Sequence, residues 1–277
     1  MESTANGFLE AVASATAETL RQAETTLPPD VLQALESALE RETGAVARNQ
    51  LENILENVRY AGEHALPLCQ DTGVPVVYLS IPPTVPLTAG IEEAVAEGVR
   101  RATREVPLRP NVVDPLSRQN TGDNTGGGMP AIHLRRGDEF SITVLPKGAG
   151  AENCSAIAML LPSRTGDVAR FAAETVLKAG GKPCPPVVIG IGIGSTFDGA
   201  AALAKEALLE PIDYMTPYEQ EICDGINALG IGPMGLGGAT TALAVKVRTG
   251  HCHTASLPVA VNVQCWAHRR ATRRISL

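Results

Sequence analysis

Cys69 lies in the run Leu68-Cys69-Gln70-Asp71-Thr72-Gly73, where a thiol, an amide, a carboxylate and a hydroxyl precede a turn glycine. Such a run joins a soft metal ligand to groups that donate hydrogen bonds and move protons, the raw material of a metal-assisted site. Two further cysteines have comparable settings, in Lys182-Pro183-Cys184-Pro185-Pro186 and in Val263-Gln264-Cys265-Trp266-Ala267. Arg109, between Leu108 and Pro110, is stiffly held and suits two-point recognition of a carboxylate, although a plain surface arginine reads the same way. Asn120-Thr121-Gly122-Asp123-Asn124-Thr125 is either a solvent loop or a wall of hydrogen-bonding groups. His251 and His253 flank Cys252, and without further ligands at metal spacing they read as one functional histidine rather than a metal pair. No CxxC pair occurs, so a zinc ribbon or thioredoxin-type motif has no support.

Helices and strands must hold these groups in place. Residues 7–25 read as a helix carrying Phe8, Val12 and Leu20. Residues 30–64 read as a second, with stripes Val31, Leu32, Leu35, Leu39 and then Leu51, Ile54, Leu55, Val58. Pro28 and Pro29 separate the two, and Asp30 is placed to cap the second. Beyond residue 65 the pattern changes to short β-like runs and glycine turns. Val74–Ile81 and Phe140–Leu145 read as strands, and Ile91–Arg104 as a helix. Val187–Ile193 is a continuous β-branched run, the mark of a strand covered on both faces, with helices over Asp167–Ala179 and Ala200–Leu209. The expected fold is mixed α/β: a helical N-terminal segment (1–64), then a sheet core flanked by helices (65–277), continuous with it as one domain.

The composition narrows the function class. With 277 residues, 44% of them hydrophobic, the chain can bury a full core; 3% aromatics and 27 glycines imply small aliphatic packing and tight turns. A net charge of −7 lacks the basic footprint of a nucleic-acid binder. The N-terminus has neither the basic nor the apolar region of a secretory signal, and no stretch is long enough to span a membrane, so a cytoplasmic protein with reduced thiols is expected. Cys154 and Cys223 read as small buried hydrophobes.

Three glycine-rich stretches raise the question of nucleotide or anion binding. Gly190-Ile191-Gly192-Ile193-Gly194-Ser195-Thr196 fails the dinucleotide spacing, and Gly235-Leu236-Gly237-Gly238 lacks a clear preceding strand; close backbone packing is the better reading of both. Lys147-Gly148-Ala149-Gly150-Ala151-Glu152-Asn153 offers backbone N–H groups and a lysine to an anion, or is an ordinary turn.

Taken in order, Cys69-Gln70-Asp71-Thr72-Gly73, Asn120-Thr121-Gly122-Asp123-Asn124, Lys147-Gly148-x-Gly150-x-Glu152-Asn153, Cys184-Pro185-Pro186, Gly235-Leu236-Gly237-Gly238 and Ser256–Cys265 carry a resemblance. The chain resembles the α subunit of the two-subunit class I fumarate hydratases and L-tartrate dehydratases, which are iron–sulfur hydro-lyases. The resemblance implies that Cys69, Cys184 and Cys265 hold a [4Fe–4S] cluster. Three thiolates on four irons leave one iron open as a Lewis acid toward a C4 dicarboxylate. It also implies that Gln70, Arg109 and Gly150 bind substrate, with Asp71 and His253 as catalytic candidates that orient it or relay protons. A β subunit is implied too, because the family's other half supplies catalytic groups; a dimer of αβ units and no activity of the α chain alone are expected. The chain departs from the family's pattern at Ala149 and Ala151, at Met234, at His251-Cys252 and at Gly126-Gly127-Gly128, and these changes bear on substrate identity. Two other classes use the same residues: an iron–sulfur redox or sensing protein, and a non-catalytic assembly subunit.

Overall fold

The computed structural model describes residues 2–85 and 89–275. In chain order it begins with α1 (Glu2–Thr25), α2 (Pro29–Arg41), α3 (Ala45–His64), β1 (Val74–Ile81), α4 (Ile91–Glu105), β2 (Ala131–Arg136) and β3 (Ser141–Lys147). The short α5 (Ala149–Glu152), β4 (Ala156–Leu160), α6 (Asp167–Ala179), β5 (Val187–Gly194), α7 (Phe197–Ala207) and α8 (Pro217–Asn227) follow. The chain then runs through β6 (Ala242–Gly250), β7 (Leu257–Gln264) and β8 (Ala271–Arg274). The fold is mixed α/β, as the sequence implies. The described residues cluster into two compact units, one drawn from 1–27, 58–148 and 269–277, the other from 28–57 and 149–268.

The first unit is built on a four-stranded sheet in the order β2-β1-β3-β8, with β1 parallel to β2 and antiparallel to β3. Val77 and Leu79 of β1 and Ile142 and Val144 of β3 face Val12 and Leu20 of α1 and Val95 and Val99 of α4, all buried. The two helices pack closely because Gly98 has no side chain: a Cβ there would lie 2.4 Å from the Ala13 carbonyl. Phe8 is only partly buried and stacks on Phe140 at 5.5 Å.

The second unit holds a sheet in the order β4-β7-β5-β6, with β5 parallel to β6 and antiparallel to β7. The apolar run at 187–193 is β5, one of its two interior strands, buried on both faces as expected. One face packs Val176 of α6 and Ile222 and Ile226 of α8; the other packs Ala200 and Ala204 of α7. The glycines of that run let α7 approach the sheet. A Cβ at Gly190 would stand 2.1 Å from the Ala204 carbonyl, and one at Gly192 2.0 Å from that of Ala200. This settles the run as close packing rather than a nucleotide turn.

The single helix read over 30–64 is two helices. Helix α2 ends at Arg41, Glu42 is extended (φ −79°, ψ 129°), and the Glu42 carboxylate accepts the backbone N–H groups of Thr43 and Gly44 at 3.0 Å each. A side chain that captures its own following N–H groups competes with helix continuation.

Candidate active-site elements

In the first unit, Cys69, Gln70 and Asp71 lie on the irregular segment between α3 and β1. The turn at Gly73 is compulsory for glycine: φ is +71°, and a Cβ would lie 2.5 Å from the Lys147 carbonyl group. Asp71 Oδ1 accepts the Gly73 N–H at 3.0 Å, and Oδ2 lies close enough to Gly148 that a Cβ there would be 3.0 Å away. Arg109 is brought to this segment through its backbone. Its N–H donates to Thr72 Oγ1 at 3.1 Å, and its carbonyl accepts Asn124 Nδ2 at 3.0 Å, leaving the side chain exposed. Asn111 completes the brace by donating to Gly73 O at 2.9 Å. The polar turn 120–125 thus divides: Asn124 is a buried internal strut, whereas Asn120, Thr121 and Gly122 face outward.

The same segment is anchored by a buried ion pair that sequence reasoning missed. Arg269 Nη1 lies 2.6 Å from Glu24 Oε2, with both side chains 1% exposed. Arg269 Nη2 donates to the Asp71 carbonyl at 2.8 Å, and the Leu68 N–H donates to the Glu24 carbonyl at 2.8 Å. Burial pushes the Glu24 carboxyl up to about 7, opposed by the guanidinium of Arg269 and reinforced by the charge of Asp71. A glutamate on a helix and an arginine in the run Arg269-Arg270-Ala271-Thr272-Arg273-Arg274 both read as solvated charge, so no sequence signal marked the pair.

In the second unit, Gly150, Cys184 and Cys265 gather at one end of the sheet. Val188 pairs with Gln264, so Cys184 precedes β5 where Cys265 follows β7. The Trp266 N–H donates to the Cys184 carbonyl at 3.2 Å, which joins the two cysteine backbones. A Cβ at Gly150 would lie 3.3 Å from the Lys182 carbonyl, two residues before Cys184. Glu152 binds Lys205 and accepts Asn262 Nδ2 at 3.1 Å, which fixes the turn that carries Gly150. In that turn Ala151 is buried in the core and Ala149 is exposed. His253 is elsewhere: it precedes β7, at the end where Ile193 pairs with Val259. Eight residues of β7 separate it from Cys265, on the order of 25 Å at about 3.3 Å per strand residue. There it is exposed, its Nδ1 accepting the Ala255 N–H at 3.1 Å.

The cysteines divide chemically. Cys223 is buried as expected, and burial pushes its thiol up to about 12; Cys154 is only partly buried, not the buried hydrophobe the sequence suggested, because it sits at the rim of the core, and burial raises its thiol. Cys69, Cys184 and Cys265 are half-exposed on irregular backbone and form no disulfide. Cys184 has φ +54°, a left-handed conformation rare for a side chain of this size and held only where surroundings impose it. No group of three or more His, Cys, Asp or Glu side chains able to hold a metal ion is found among the described residues. Soft thiols, two of them on adjoining backbone in one unit, are nonetheless the donor set that an iron–sulfur group takes.

Comparison with known proteins gives the family. The fumarate hydratase (fumerase) family pattern matches residues 13–274. A Methanocaldococcus jannaschii protein named as a candidate L(+)-tartrate dehydratase subunit alpha is 48% identical over 273 residues, covering 94% of this chain and 96% of its own length. The L(+)-tartrate dehydratase subunit alpha of Escherichia coli strain UTI89 is 32% identical over 280 residues, covering 98% and 91%. That of strain O157:H7 is 32% identical over 277 residues, covering 96% and 90%. Matched along nearly its whole length, the chain belongs to the fumarate hydratase family and is an enzyme of the hydro-lyase class.

Proposed function

We propose that this chain is the α subunit of a [4Fe–4S]-dependent hydro-lyase that reversibly removes water from a C4 dicarboxylate. The names of its relatives favour L(+)-tartrate, converted to oxaloacetate, over the fumarate–malate pair. The observation that carries the reading is the Trp266–Cys184 backbone hydrogen bond at 3.2 Å, which joins the backbones of two partly exposed cysteines, one of them left-handed. Cys69, Cys184 and Cys265 would hold the cluster, which when bound supplies a Lewis acid that eases the loss of hydroxide from the substrate.

The chain's own residues do the rest. The Arg109 guanidinium, exposed on a backbone fixed to Thr72 and Asn124, takes a substrate carboxylate in two-point fashion. Gln70 donates a hydrogen bond to the bound dicarboxylate, and Gly150 leaves its backbone open to it. Asp71, two residues after Cys69, is a proton-relay candidate, its carboxylate oriented by Gly73 N–H. His253 keeps a relay role only if turnover brings it to the substrate, since within its unit it lies at the far end of β7. A β subunit contributes further catalytic groups, and pairs of αβ units form the working enzyme in a reducing cytoplasm. No helix among the described residues is long and apolar enough to cross a membrane.

The experiment is cluster formation in anaerobically prepared protein. Cys69→Ser, Cys184→Ser and Cys265→Ser should each abolish the broad iron–sulfur absorbance at about 400 nm, and Cys223→Ser should leave it intact. Full absorbance in Cys184→Ser would end the assignment.

A further inference from the structure

Glu42 is a carboxylate that this chemistry does not use, yet it is only 4% exposed. Besides Thr43 and Gly44, it takes the Ala239 N–H on Oε2 at 2.8 Å and a further backbone hydrogen bond from Thr240. Burial alone would raise its pKa, but these four N–H groups outweigh burial and hold the carboxyl below the usual value. Gly238 must be glycine for this arrangement, because a Cβ there would stand 2.7 Å from Glu42 Oε2.

What Glu42 grips is one end of the glycine-rich loop from Gly232 to Thr241. That loop folds back on itself, with Gly237 N–H on Ile231 O at 2.8 Å and no room for a Cβ at Gly232. Its other side lies against the residues around Cys184. The Met234 N–H donates to Pro185 O at 2.8 Å, and a Cβ at Gly235 would be 2.5 Å from the Gly181 Cα. Thr241 O accepts the Val187 N–H at 2.8 Å. The Cys184-Pro185-Pro186 turn is therefore bracketed by contacts to a loop whose far end is fixed on Glu42. Cys184 needs such support, since its φ of +54° is strained for a residue with a side chain.

We propose that Glu42 is a positioning residue for Cys184, acting through the Gly232–Thr241 loop without touching substrate or cluster. The inference rests on the reading that Cys184 is a cluster ligand. Supports of this kind, one step removed from the ligand, typically change metal affinity about 10–100-fold when altered.

The test compares wild type, Glu42→Gln and Gly238→Ala as α–β complexes loaded anaerobically with iron and sulfide. Glu219→Gln serves as control: Glu219 is also buried in this unit but caps α8 and pairs with Lys246. The first readout is the rate at which a chelator bleaches the cluster absorbance; Glu42→Gln and Gly238→Ala should bleach about tenfold faster than wild type, and Glu219→Gln at close to the wild-type rate. The second, in the cluster-free complex, is amide exchange of the segment 181–187, which should speed up in the same two variants only. Wild-type protection of 181–187 in Glu42→Gln, or equal acceleration in Glu219→Gln, overturns the positioning role. A wild type that takes up no iron overturns the cluster reading, while exchange at 181–187 still decides whether Glu42 holds Cys184 in place.

Discussion

Arg269→Met is a demanding perturbation of the unit that carries Cys69. The Glu24 carboxylate loses a counter-charge 2.6 Å away at a site with 1% exposure, and the Asp71 carbonyl loses a donor at 2.8 Å. Deleting one partner of a buried pair costs about 3–5 kcal/mol when the remaining charge stays ionised. Glu24 has an escape, because burial already raises its carboxyl from 4.5 to about 7 with Arg269 present, and at lower pH a proton can replace the guanidinium. The sign follows from that shift. The native state holds the proton more tightly than the unfolded chain, so this stabilisation is fully present below pH 4.5 and is lost as pH rises through about 7. Its slope is at most about 1.4 kcal/mol per pH unit. The cost of Arg269→Met should therefore be larger at pH 8 than at pH 5, by up to about 1.4 kcal/mol. Urea denaturation at the two pH values measures it, with amide exchange of residues 66–74 as the local readout. The double variant Glu24→Leu/Arg269→Met should recover most of the stability, yet exchange at 66–74 should stay fast because the Asp71 carbonyl still lacks its donor. Equal costs at the two pH values, or a double variant no more stable than the single one, would refute this reasoning.

Other perturbations test the site and the scaffold separately. Arg109→Lys keeps the charge but loses the planar fork, so kcat/KM should fall about 10–100-fold with the cluster spectrum unchanged; unchanged kinetics would make Arg109 an ordinary surface residue. His253→Asn should leave cluster absorbance intact, and wild-type turnover in that variant would remove His253 from the mechanism. Gly190→Ala forces a methyl to within 2.1 Å of the Ala204 carbonyl and should cost about 1–3 kcal/mol by overpacking, seen as a lower thermal midpoint.

Much of the architecture was legible because it rests on periodicity. The strand at 74–81 and the helix at 167–179 appear with the bounds read from sequence, and the interior strand β5 announced itself by an unbroken β-branched run. Strands β2, β4, β6, β7 and β8 were not anticipated: alternation is weak in β2 and β8, and β6 and β7 lie in the stretch where glycine turns dominated the reading. The break after Arg41 was hidden because it depends on the Glu42 carboxylate meeting N–H groups from residues 239 and 240, nearly two hundred positions away. The site divided similarly. Motif order pointed to Cys69, Cys184 and Cys265, and strand register then brought the backbones of the last two to the same end of one sheet. The buried carboxylates of Glu24 and Glu42 look like solvated helix charge in sequence, and only tertiary packing distinguishes them.

The most direct test of the central claim is oxaloacetate formation from L(+)-tartrate by the anaerobically purified chain, alone and coexpressed with its β subunit. Turnover should appear only in the complex, track the absorbance at about 400 nm, and vanish in Cys184→Ser. Undiminished turnover by the α chain alone, or by a complex with no iron–sulfur absorbance, would contradict it.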